Sequence, residues 1–135
     1  MSRIACVWVP HFIAEVARET GEAGPLLVVD GKRVLDASAE AAAVGVRVGE
    51  LASRALARCP DARAIPVDRA RCLEMWERVL DALALHSPVV EDVRWGTAYL
   101  DAGGMAGLYG SEATWCGAVR AEVGLVVQVL SLIHI

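Results

Sequence analysis

The chain has 135 residues, 56% hydrophobic and only 5% aromatic, with a formal net charge of −4. That length holds one compact domain or two very small ones, and a composition this apolar excludes a disordered chain, leaving Ala, Val and Leu to build the core. The acidic balance excludes an overall attraction to nucleic acid.

The apolar, β-branched run Arg3 to Val9, stopped by Pro10, predicts a buried strand, and Phe12 to Thr20 has helical spacing. Pro25 to Asp30 reads as a second strand joined through Asp30-Gly31 to a third, Arg33 to Ala37. Ser38 is placed to cap a short alanine-rich helix ending at Gly45, and Gly49 opens another, stopped by Pro60. A brief strand from Ala64 to Val67 follows. Asp68 then caps the longest helix, Arg69 to His86, whose apolar side is Leu73, Met75, Trp76, Val79, Leu80, Leu83 and Ala84. Val89 to Arg94 and Thr97 to Asp101 are strands around a tight connection or bulge at Trp95-Gly96. A helix capped by Ser111 runs to Val123, and Leu125 to Val129 is a last strand.

These elements predict an α+β fold: an antiparallel sheet backed by two helices, with a small α/β lobe inserted at about residues 13–67. Cys6, Cys59, Cys72 and Cys116 form no C-x-x-C pair and have no histidine at ligand spacing, so neither a zinc site nor a disulfide framework is indicated. Reduced thiols, the lack of an export-type leader and a final apolar run of eleven residues, short of the roughly 20 needed to span a bilayer, predict a soluble cytoplasmic protein with no membrane partner.

Four stretches carry a resemblance: ASAEAAAVGVRVG (37–49), RALARCPDARAIPVD (54–68), HSPVVE (86–91) and AYLDAGGMAGLYG (98–110). In this order and spacing they resemble the UmuC/ImpB-like N-terminal region of Y-family translesion DNA polymerases. The resemblance implies a partial palm from residues 1–12 and 68–129 around a fingers-like insertion, 13–67. Residues 130–135, LSLIHI, match nothing in the family pattern, and a truncated frame with a foreign tail is the expectation for them.

In catalytic members the first strand carries Asp-x-Asp followed by aromatic residues; here those positions read Val7, Trp8, Val9, Pro10, His11 and Phe12. The Asp-Glu pair before Ala-Tyr-Leu-Asp is Gly96-Thr97. Two Mg²⁺ ions need carboxylate oxygens to hold them about 4 Å apart, and these residues offer one neutral hydroxyl. The fingers motif Ser-Tyr-Glu-Ala-Arg reads Ser38-Ala39-Glu40-Ala41-Ala42, so the phosphate-holding hydroxyl and guanidinium are Ala39 and Ala42. Phe12 matches the family's sugar-discriminating aromatic and is read as vestigial, a core residue.

The pattern therefore looks like the ImuB-type branch. It implies a catalytically silent adaptor, not an enzyme and without a cofactor, acting in damage-induced mutagenesis. Its implied partners are a sliding clamp, a RecA-like accessory protein and an error-prone replicative-type polymerase. The alternative is a divergent active translesion polymerase whose Mg²⁺ is held by other carboxylates, with Asp101, Glu91 and Asp92 the nearest in sequence; a turn-acceptor role competes for Asp101.

Charge is uneven along the chain: four basic and six acidic residues lie between Met1 and Val46, seven and five between Arg47 and Arg78, and two and six from Val79 onward. Arg47, Arg54, Arg58 and Arg63 in the basic middle are candidates for weak, salt-dependent DNA contact, against an ordinary solvated face. Trp8, Trp76 and Trp115 are expected in the core, with Trp95 open between packing and base stacking. His11 reads as a packed residue, and His86 and His134 have no acid partner at informative spacing. Gly103, Gly104 and Gly107 lack a phosphate-loop context.

Overall fold

The computed structural model describes residues 3–19, 21, 23–104, 108–123 and 128–133. In chain order the elements are β1 (Arg3–Trp8), α1 (Phe12–Arg18), β2 (Leu26–Asp30), β3 (Arg33–Ala37), α2 (Ala39–Ala43), α3 (Ala52–Arg58), β4 (Arg63–Pro66), α4 (Arg69–Ala84), β5 (Val90–Arg94), β6 (Thr97–Asp101), α5 (Glu112–Val123) and β7 (Gln128–Ile133). They form two compact units, one of Met1–Pro10 with Leu73–Ile135, the other His11–Cys72.

The first unit holds a four-stranded sheet in the order β5-β6-β1-β7. β1 is antiparallel to both neighbours, and its partners on β6 run from Ile4 opposite Asp101 to Trp8 opposite Thr97. Alternate residues point to opposite faces. Ala5, Val7, Ala98 and Leu100 are at most 1% exposed and make the packed face, while Ile4, Cys6, Trp8, Tyr99 and Asp101 lie on the other and keep some exposure. The buried side chains Trp76, Val79 and Leu83 of α4 and Trp115 and Val119 of α5 complete this core. Trp76 Nε1 donates to Asp92 Oδ1 at 2.9 Å and Trp115 Nε1 to the His86 carbonyl at 2.7 Å, so neither indole N–H is buried unpaired. Ser87 Oγ sits 2.8 and 2.9 Å from the Val89 and Asp101 carbonyls and fastens the end of the β5/β6 pair.

β7 lies beside β1 through Leu130 opposite Cys6 and Leu132 opposite Ile4, so residues 130–133 of the sequence expected to be foreign are paired in the sheet. Residues 125–127 of the predicted last strand, together with Gly107 and His134, lie outside the described residues.

The second unit carries a three-stranded mixed sheet, β3-β2-β4, with β2 antiparallel to β3 and parallel to β4. Leu27, Val34, Ala37, Ala41, Val46, Ala55 and Cys59 form its core. Ser38 caps α2 as its sequence position predicts: its buried Oγ accepts from Ala41 N–H at 3.4 Å and from Leu26 N–H at 2.9 Å. Asp68 does the same for α4, accepting from Arg71 N–H at 3.0 Å.

Asp36 is the less expected anchor. Its Oδ2 accepts the Ala14 N–H of the first turn of α1 and its Oδ1 the Ala37 N–H, each at 2.9 Å. Burial raises the Asp36 carboxyl above its ordinary range, against the opposing pull of those N–H groups. Asp36→Ala is expected to cost about 1–3 kcal/mol, because it leaves two part-buried N–H donors unmatched. A carboxyl whose folded pKa is raised favours the fold most below its unfolded pKa, and that contribution fades as pH rises through the folded value. The stability of the native chain relative to Asp36→Asn is therefore expected to fall across that window in denaturant titrations.

Candidate functional site

The palm-like frame brings the expected positions together on two neighbouring strands. Gly96 lies in the turn between β5 and β6, with φ 89°, a conformation in which a side chain carries strain. Its carbonyl accepts the Val9 N–H at 2.8 Å, which joins the end of β1 to the start of β6. The pairing register then separates the faces. Val7 stands opposite Ala98, fully buried on the packed side, whereas Trp8 stands opposite Thr97. Val9 is 1% exposed.

The tryptophans divide accordingly. Trp76 and Trp115 are core, Trp95 is half-buried, and Trp8, expected in the core, is 43% exposed on the open face. The reason is that β1 is apolar on both faces, so its composition does not show which side is covered.

β5 adds its own residues across the sheet: Glu91 opposite Tyr99, Asp92 opposite Ala98 and, after a bulge, Arg94 opposite Thr97. Asp92 is engaged by Trp76. Asp101 Oδ1 accepts the Gly103 N–H at 2.8 Å, the turn-acceptor role, yet its side chain also lines a shallow cavity with Glu91, Tyr99 and Ile4. Among the described residues no group of three or more His, Cys, Asp or Glu side chains is placed to hold a metal ion. Val7, Gly96 and Thr97 do not fit a two-ion site, having one neutral hydroxyl between them and the Arg94 cation opposite Thr97.

In the second unit Ala39 is exposed and Ala42 half-buried on α2, while Phe12 is 4% exposed in α1. Arg54 and Arg58 share α3, Arg47 lies in the loop before it and Arg63 opens β4. Arg58 is already committed, donating to the Gly45 carbonyl at 2.9 Å and pairing with Glu50 at 2.7 Å. The Arg47 N–H, and after it Arg58, holds the Glu50 carboxyl below its ordinary range. Only part of the quartet's charge is thus left for a phosphate.

His86 does have an acidic neighbour: its ring nitrogens lie 2.9 Å from the Tyr109 hydroxyl and 3.2 Å from Glu122 Oε1. These partners are 23 and 36 residues away along the chain, beyond the reach of local spacing.

The four-stranded antiparallel sheet with its helices and the separate three-stranded lobe define a palm-and-fingers fold. The sequence matches the impB/mucB/samB family over residues 7–129, and the chain belongs to that family. It is 31% identical over 90 residues to the DNA polymerase IV of Desulfatibacillum aliphaticivorans, a match covering 67% of this chain and 23% of that protein. Among solved structures it is similar to a Dbh ternary complex, at TM-score 0.80 and 20% identity over 97% of this chain and 41% of the other. It is also similar to DinB from Sulfolobus solfataricus, at TM-score 0.80 and 22% identity over 96% and 42%. A Y-family DNA polymerase chimera of Dbh and Dpo4 gives 0.79 and 19% over 96% and 42%. The chain thus spans under half the length of the proteins it matches.

Two expectations from sequence are corrected by these likenesses. The expectation that the chain is not an enzyme, and that it takes no cofactor, does not stand beside a relative named as a DNA polymerase, because polymerases as a class transfer nucleotides with two divalent ions. Its weakness is physical: a donor set is fixed by where oxygens lie in space, and three substituted positions speak only for those positions. Among the described residues no helix is long and apolar enough to cross a membrane.

Proposed function

We propose that the chain is the palm-and-fingers portion of a divergent Y-family translesion polymerase, a nucleotidyltransferase working on damaged template DNA. One observation carries the reading: β1 and β6 pair as the two inner strands of an antiparallel sheet, in a sequence that matches the family from residue 7 to 129. The palm-like pairing of these strands supports the reading, although the positions where the family pattern implies carboxylates are replaced. Glu91 and Asp101, which line one cavity on the open face, are the carboxylates best placed to take a divalent ion instead. The test is nucleotide-dependent Mn²⁺ binding by the whole protein. Glu91→Ala and Asp101→Ala are each expected to weaken it about tenfold or more, as loss of a metal-site group does. Binding that is absent, or indifferent to both substitutions, overturns the reading.

A second reading is favoured by Ala39 and Ala42, which leave the fingers without the hydroxyl and guanidinium that the family motif implies for phosphate. On it the chain resembles the ImuB-type branch, and the whole protein gathers a sliding clamp, a RecA-like accessory protein and an error-prone replicative-type polymerase at lesions. Assembly of those partners on gapped DNA by the full-length protein is the measurement that supports it.

A further inference from the structure

β1 and β6 are the inner strands of the first unit's sheet, and each puts an aromatic ring on the open face. Trp8 stands opposite Thr97 and Tyr99 opposite Cys6, so the two rings are diagonal neighbours, within about 7–8 Å by sheet geometry. Trp8 is 43% exposed and Tyr99 half-buried. A large ring left open on a central strand forgoes burial that the packed face offers its neighbours Val7 and Val9.

Beside it lies a cation. Arg94 on the outer strand pairs with Thr97, is exposed, and forms no ion pair among the described residues. The pairing register sets Arg94 opposite Thr97, the residue that Trp8 faces on its other side, and the Arg94 charge opposes the rise that burial gives the Cys6 thiol of the same face. Rings on the inner strands of a four-stranded sheet with a neighbouring cation are the features by which proteins hold unpaired bases: the ring takes the π-face and the cation takes the phosphate.

We propose that Trp8, Tyr99 and Arg94 form a stacking site for an unpaired base of single-stranded DNA, Trp8 carrying the base and Arg94 the adjoining phosphate. The footprint is short. Glu91, opposite Tyr99, and Asp101, opposite Ile4, make the far end of the face acidic, so a polyanion is held only at the Trp8 end, over one or two nucleotides. Stacking needs no divalent ion, and the site stands whether or not Glu91 and Asp101 bind metal.

The test is binding of a fluorescent thymidine oligonucleotide by the full chain in the presence of a chelator, followed by anisotropy and by tryptophan emission. In a Trp95→Phe background, which removes the half-buried Trp95 as a reporter, the chain that keeps Trp8 is expected to bind with quenching, Trp76 and Trp115 being too buried to report contact. Trp8→Ala is expected to weaken binding about tenfold, within the range for one stacked base. Trp8→Phe keeps a ring, so it is expected to restore most of the affinity while losing the quench. Arg94→Ala is expected to reduce the salt slope by about 0.7, the loss of one phosphate contact to a single strand. Unchanged affinity in a folded Trp8→Ala chain, or a quench that survives in Trp8→Phe, overturns the proposal. So does equal affinity for a duplex of the same sequence, because paired bases offer no free face to the ring.

Discussion

Replacing Trp76 by alanine is expected to destabilise the first unit by about 3–5 kcal/mol, the cost of emptying a large buried site that collapses only in part. The side chain is 1% exposed in the middle of α4, and its indole N–H is matched by Asp92 on β5. It therefore does two things at once, filling the space beneath the packed face and tying the helix to the outer strand. Trp76→Phe separates them: it keeps most of the volume and loses the hydrogen bond, and is expected to cost about 1–2 kcal/mol. The measurement is the denaturant midpoint of each variant, read at unchanged m-value so that the difference reports stability and not a changed unfolded state. A Trp76→Ala chain as stable as the native one would mean that α4 does not pack where the structure places it.

What the sequence revealed of the fold follows from which signals are local. β3 runs from Arg33 to Ala37 as its pattern predicts, and Ser38 and Asp68 cap α2 and α4, because a cap or turn is decided within three or four residues. The antiparallel partnership of β5 and β6 was legible through the Trp95-Gly96 turn for the same reason. The parallel pairing of β2 with β4 was not, since α2, α3 and the whole of β3 intervene. Nor was the role of Asp36, whose partner Ala14 lies 22 residues back and whose carboxylate looks from sequence like any other on a strand.

The meeting of β1 and β6 was legible, and the orientation of their side chains was not. Spacing along β1 and β6 points to the residues that meet, and the strands do run side by side there. Which face each side chain takes depends on where the helices lie. Ile4 to Val9 is apolar or tryptophan throughout apart from Cys6, so the period-two contrast that marks a half-buried strand is missing. For the arginines, sequence gives a basic stretch, but Glu50, eight residues before Arg58, neutralises part of it.

Orientation has a direct test with a large expected effect. Val7→Asp puts a carboxylate at a fully buried position opposite Ala98. Either the charge is buried or the group takes up a proton and is buried as an unmatched acid, and each route costs several kcal/mol. The chain is expected to lose cooperative unfolding at neutral pH and to regain some stability toward about pH 4–5, where the acid is neutral. Trp8→Asp, one residue along, moves the same carboxylate to the open face beside Arg94, where the charge itself is expected to cost less than about 1 kcal/mol and the lost part-burial of the ring about 1–3 kcal/mol. The pair of variants differs by one position in sequence and by the two sides of a sheet in space. If Val7→Asp folded as well as Trp8→Asp, the register of β1 against β6 would be shifted by one, and the open face would carry Ala5, Val7 and Val9 in place of Cys6 and Trp8. The stacking site would then lose its ring, and Val7, not Trp8, would be the residue of β1 beside Thr97.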